Sequence, residues 1–177
     1  MIIHPEFWNR RRIVLPGKEP RILPSLDKFA LRKGGIEVVE ESPFPSFLFN
    51  NSLLVTGEVD RTTSYEMGMQ GQEVFKEDSW QPDSLTLDDQ ALVANIRGKG
   101  LVIITGCGHA GIVNICNYAK NLTGEYKIHA YIGGFHLPDG LDPAIIRNTV
   151  RDIKFLNPDW LVPAHLSLIH ISEPTRP

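Results

Sequence analysis

The stretch Leu101-Val-Ile-Ile-Thr-Gly-Cys-Gly-His-Ala-Gly-Ile-Val-Asn114 passes from an apolar run, through glycine-spaced turn chemistry, into the start of a helical repeat. Leu101 to Ile104 reads as a buried strand. Ile112, Ile115, Ala119 and Leu122 then recur at helical spacing, and Gly124 follows as a stop signal. The alternation continues with a strand over Ile128 to Ile132. Asp142 followed by Pro143 is an N-cap with proline at the first helical position, opening a helix with Ile146, Val150, Ile153 and Leu156 on one stripe. Asn157-Pro158 ends it, and Trp160-Leu-Val162 is the last strand. Strands alternating with helices predict parallel strands joined by right-handed crossovers. On the other side, Ala91 to Ile96, Gly98-Lys-Gly100 and Leu101 to Ile104 predict an antiparallel hairpin, so the sheet is mixed and the class is α/β, or α+β in some schemes.

Of six histidines, three share one position in this pattern, just past the end of a buried strand. They close Leu101-Val-Ile-Ile-Thr-Gly-Cys-Gly-His109, Tyr131-Ile-Gly-Gly-Phe-His136 and Trp160-Leu-Val-Pro-Ala-His165. Consecutive parallel strands deliver their carboxyl ends to one sheet edge, where ligands of open α/β sheets bind. Three imidazoles there point to a metal, since neutral imidazole ligates zinc and suits iron, and glycines before His109 and His136 permit tight turns. The bland alternative is a set of structural or acid–base histidines. His4 and His129 lack this context and read as structural. Cys107 is either a reactive thiol beside His109 or a small packing residue. Thr56-Gly-Glu-Val-Asp-Arg61 either holds an anionic substrate or is a solvated turn.

Composition bounds the rest. The chain has 177 residues, 42% hydrophobic and 22% charged, which is an ordinary globular balance with room for one sizeable core. Eighteen Lys plus Arg against 21 Asp plus Glu give a net charge of −3, against a nucleic-acid or acidic-membrane surface, and Arg10-Arg11-Arg12 is too short to reverse that. No apolar run approaches the roughly 20 residues of a membrane span, and the first residues do not read as a signal peptide, so a cytoplasmic location is expected. Two cysteines, Cys107 and Cys116, make neither a disulfide framework nor a thiolate zinc cluster. Short strands are expected at Ile13 to Leu15, Ile36 to Val39, Phe47 to Phe49 and Leu53 to Val55, a helix at Leu26 to Lys33, and a long loop from Arg61 to Asp83. Gly106-x-Gly108 lacks the third glycine of a dinucleotide fingerprint.

Four segments together resemble the metallo-β-lactamase fold. They are Thr56 to Arg61, Gly100 to Asn114, Ile132-Gly-Gly-Phe-His-Leu137 and Pro163-Ala-His165. The resemblance is to the branch containing the dihydropterin ribofuranosyl-aminobenzene phosphate synthase of methanopterin biosynthesis, and it runs from about His4 to His165. It implies an αββα sandwich, here its C-terminal part over residues 1–165, with one or two divalent ions, usually zinc with iron or manganese as alternatives. Carried over, His109 and His165 match metal ligands, and His136 stands where many relatives place a metal-bridging aspartate. Glu58 becomes a candidate substrate-binding residue beside the site, and Cys107 is a second candidate.

The resemblance also implies what is missing. No His-x-His-x-Asp-His motif is present, so this chain alone is expected to lack the N-terminal half of the sandwich and to be inactive or nearly so. After His165 the family continues Cys-Thr-Gly, whereas Leu166-Ser-Leu-Ile-His-Ile-Ser-Glu-Pro-Thr-Arg176 resembles a translated sequencing-library adaptor, so residues 166–177 are expected to be a non-native tail. The resulting expectation is a metal-dependent hydrolase-like enzyme using metal-activated water on a phosphate-bearing, pterin-like small substrate. The alternative is a non-catalytic metal-binding or interaction module that pairs with a separate chain supplying the first half of the fold.

Overall fold

A computed structural model describes residues 1–40, 43–137 and 140–164. Its elements are β1 (Ile2–Ile3), a 3-10 turn (Pro5–Trp8), β2 (Arg11–Ile13), β3 (Arg21–Ile22), α1 (Lys28–Lys33), β4 (Val39–Glu40), β5 (Ser46–Leu48) and β6 (Leu53–Val55). They continue with β7 (Gln72–Lys76), β8 (Ser79–Pro82), β9 (Ala91–Ile96), β10 (Gly100–Thr105), α2 (Ile112–Thr123), β11 (Ile128–Gly133), α3 (Pro143–Leu156) and β12 (Trp160–Pro163). The main sheet runs β12-β11-β10-β9-β6-β5, a four-stranded sheet runs β3-β2-β7-β8, and β1 pairs with β4.

The predicted alternation is present as read. β10 to β11 and β11 to β12 are parallel, and β9 to β10 is the antiparallel hairpin. α2 and α3 are the crossovers, so the carboxyl ends of β10, β11 and β12 share one edge. Leu101 and Ile103 are fully buried and join Ile112, Ile115, Ala119, Ile128 and Tyr131 in one core. Toward the other face and the β12 edge the sheet stays partly open: Ile104 is 42% exposed, Val162 45% and Trp160 63%. Asp142 caps α3 by accepting the Ala144 N–H at 2.8 Å. Among the described residues, no helix is long and apolar enough to cross a membrane.

One expectation is corrected. The segment from Arg61 to Asp83 is not one long loop, because β7 and β8 form a hairpin within it. Its two-residue turn is Glu77-Asp78, both at positive φ, and this turn type usually advertises itself by Asn-Gly. The rest of that segment, from Arg61 to Glu66, crosses the N-terminus of α2. That helix has no cap of its own, since Gly111 stands at its N-cap position. The Glu66 carboxylate supplies the cap, accepting the N–H groups of Val113 at 3.0 Å and Asn114 at 2.8 Å. Asn114 returns the contact, its Oδ1 accepting the N–H groups of Thr62 and Thr63. His4 and His129 have structural roles. His4 is buried and caps the 3-10 turn, and His129 lies 2.8 Å from Asp159.

Candidate metal centre

The loops after β10 and β11 are joined through glycine backbone. The Gly134 N–H donates to the Gly106 carbonyl at 2.8 Å, and a Cβ on Gly134 would overlap the carbonyls of Gly106 and Cys107. Gly108, at φ +73°, presses equally closely on the Gly134 carbonyl. Beneath them the buried Tyr131 hydroxyl donates to that carbonyl at 3.0 Å and accepts from Thr105 at 3.1 Å. This approach carries His109 to His136, whose ring centroids lie 4.6 Å apart at 85°.

His136 sits at φ +48°, a left-handed conformation uncommon for a residue with a side chain and of a kind that recurs at functional sites. Its Nδ1 is buried without a hydrogen-bond partner among the described residues. Burial, and then the neighbouring His109, depress its pKa to about 4, so the ring is neutral at physiological pH. A neutral imidazole keeps one ring lone pair available, which is the chemistry of a metal ligand. In the metal-free chain the His136 ring proton resonances are expected to titrate near 4. The associated stability is complete above the ordinary histidine value of 6.5 and is lost as pH falls through about 4. After screening it amounts to about 1–2 kcal/mol. A titration midpoint near 6.5 by NMR would contradict the burial argument.

Three further groups surround the pair; the sequence pointed to Arg61 only as the end of the Thr56 to Arg61 segment, and to Asp89 and Glu66 not at all. Asp89, just before β9, has its side chain largely buried against the His109 turn, and its Oδ2 accepts the Ala110 N–H at 2.9 Å. The His109 N–H also bonds this carboxylate, yet burial still raises its pKa. Arg61 donates to the His109 carbonyl at 3.0 Å and to the Leu85 carbonyl. Burial lowers the Arg61 pKa against the pull of Asp89, Glu66 and Glu58. Glu66 is the α2 cap described above.

A cleft of about 540 Å³ opens on one side of His109, lined by Arg11, Asp88, Asp89 and Cys107 with an apolar wall including Phe7 and Leu26. A smaller cavity of about 90 Å³ on the other side is lined by His136, Phe135, Leu141 and Ile145. Cys107 therefore lines the larger cleft. Burial, and then Asp89, raise its pKa, so it is a thiol there and a poor nucleophile. Glu58 lines neither cavity; its carboxylate lies 3.9 Å from His4 Nε2. His165 lies outside the described residues, as does the 166–177 tail. Among the described residues no group of three His, Cys, Asp or Glu side chains is arranged to hold a metal ion. The imidazole pair fits a metal in chemistry and offers two candidate ligands among the described residues, where a catalytic zinc site normally draws three from its protein.

No protein-family profile matches the chain. It is 31% identical over 140 residues to an uncharacterised protein of Methanocaldococcus jannaschii, a match covering 79% of this chain and 48% of that protein. It is 34% identical over 79 residues to the 7,8-dihydropterin-6-methyl-4-(β-D-ribofuranosyl)-aminobenzene-5′-phosphate synthase of the same organism, covering 45% of this chain and 26% of the synthase. The matches thus span half or less of the curated relatives' length. Among solved structures it is similar to a metal-dependent hydrolase of the β-lactamase superfamily, with a TM-score of 0.76 and 22% identity over 93% of this chain and 59% of that one. With the mixed sheet and its two crossover helices in place, the fold of this chain is that of the metallo-β-lactamase superfamily.

Proposed function

We propose that this chain supplies part of the metal site of a metal-dependent, hydrolase-like enzyme acting on a phosphate-bearing, pterin-like or related small substrate in the cytoplasm. One observation carries the reading. Two parallel strands end in imidazoles whose rings meet at 4.6 Å, and one of them keeps a buried Nδ1 unpartnered among the described residues. His109 and His136 would hold the ion, with His165 as the third protein ligand. A divalent ion bound there supplies an activated water near neutral pH and polarises the bond under attack. The chain's own residues do the rest. Asp89 and Arg61 hold the His109 turn from opposite sides, Tyr131 fixes the loop that presents His136, and the 540 Å³ cleft receives the substrate beside His109.

The test is a titration of the full chain with Co²⁺ and Zn²⁺, following the cobalt absorption. His109→Ala and His136→Ala are each expected to weaken binding by at least about tenfold. Unchanged affinity in both variants would end the metal reading. Because the sequence contains no His-x-His-x-Asp-His motif, turnover by this chain alone is expected to be negligible. A second reading, an interaction module completed by a separate chain, is favoured by the partly open apolar face at Ile104, Trp160 and Val162. A chain that sizes as a stable monomer and shows slow amide exchange along β10 would count against it.

A further inference from the structure

Consecutive aspartates just before β9, Asp88 and Asp89, reach different partners. Asp88 takes the two terminal nitrogens of Arg11, at 3.1 and 2.7 Å. The Arg11 Nε donates to Asp83 at 2.6 Å, and Gln72 donates to both Asp83 and Thr86. The Asp89 N–H closes the turn on the Thr86 carbonyl at 3.0 Å. Arg11 and its two carboxylates are each about nine-tenths buried, and a bidentate guanidinium–carboxylate pair so enclosed fixes direction as well as position. The 83–89 segment is thereby pinned to β2 and β7, and its next side chain, Asp89, is turned toward the histidine turn.

There the Asp89 carboxylate does two things. It accepts the backbone N–H groups of Ala110 and His109, which fixes the turn, and its Oδ1 lies 4.0 Å from His109 Nδ1. That separation is too long for a hydrogen bond. It is short enough for a buried negative charge to decide which ring nitrogen carries the proton. A proton on Nδ1 leaves the Nε2 lone pair as the donor, the arrangement in which a carboxylate orients a metal-ligating imidazole.

We propose that Asp89 is the positioning residue of His109, setting both its turn and its Nδ1–H tautomer, and that the Arg11–Asp88 pair holds Asp89 in register. The consequence for metal affinity rests on the metal reading above; the tautomer does not.

The first test needs no substitution. Long-range ¹⁵N–¹H correlation spectra of the unmodified, metal-free chain at pH 7.5 are expected to show His109 protonated at Nδ1. An Nε2–H ring would overturn the proposal whatever the metal result. Asp89→Asn keeps an acceptor for the Ala110 N–H and removes the charge. It is expected to retain the fold by circular dichroism, to shift His109 toward the Nε2–H tautomer, and to weaken Co²⁺ binding about tenfold. A folded Asp89→Asn chain with the tautomer unchanged would also overturn it. If the unmodified chain binds no Co²⁺ while His109 is Nδ1–H, the metal reading fails and the positioning role stands. Arg11→Lys, which breaks the fork while keeping the charge, is expected to broaden the His109 and Ala110 resonances. Resonances as sharp as those of the unmodified chain would remove the Arg11 part of the proposal.

Discussion

Gly134→Ala is expected to cost on the order of 3 kcal/mol of stability and to separate the two imidazoles, while Gly106→Ala, in the loop it faces, is expected to be neutral or slightly stabilising. The contrast follows from what each new methyl meets. At Gly134 it meets the carbonyls of Cys107 and Gly106, which are backbone atoms of the opposite loop and have no rotamer to yield. Relief requires the two loops to part, which breaks the Gly134 N–H to Gly106 bond and strains the Tyr131 hydroxyl contact. At Gly106 no atom of the described residues lies within 4 Å of the new methyl, and its φ is not in the left-handed range. Urea midpoints measure the stability term. The ring-current shift between His109 and His136, which sit edge to face, measures the separation. Equal midpoints for the two variants would mean that the loops are not held by this contact.

The same glycines show what was legible in the sequence. Strand, helix and strand-end histidine could be read because their signals are local: an apolar run, a 3.6-residue stripe, an Asp-Pro cap. The pairing of His109 with His136 was legible one step further, because parallel topology brings strand ends together. Asp89, Glu66 and Arg11 were not legible. Asp89 lies 21 residues before the Ala110 amide it binds, and Glu66 lies 47 and 48 residues before the helix amides it caps. Arg11 stood in a basic run read only for its part in the charge balance, yet its partners Asp83 and Asp88, 72 and 77 residues away, take it inside. No periodicity announces such pairs. One signal did exist in the quoted stretch: Asn114 is fully buried at the start of an otherwise apolar helical face, and a buried amide requires partners. Thr62 and Thr63 are those partners, and they lead to Glu66 three residues on.

Glu66→Ala is the second change expected to be severe, at about 3 kcal/mol, because it leaves the Val113 and Asn114 N–H groups buried and unpaired at a helix end that has no cap of its own. Gly111 offers no side chain in compensation, and any Cβ there would occupy the space of the Glu66 carboxyl. Glu66→Gln is expected to cost less, about 1–2 kcal/mol near pH 4, since its amide oxygen still accepts one of the two N–H groups. The difference between the unmodified chain and Glu66→Gln should then depend on pH in one direction. Burial raises the Glu66 pKa, and the helix N–H groups, Thr63 and Arg61 pull it down without cancelling that effect. A carboxyl whose folded value lies above its unfolded one contributes stability that is complete below the ordinary glutamate value of 4.5 and is lost as pH rises through the folded value. The glutamine does not titrate, so the deficit of Glu66→Gln should narrow as pH rises from 4 toward 7. Paired urea unfolding curves across that range measure it, and a deficit that widened with pH would show that the helix N-terminus, rather than burial, governs this carboxyl.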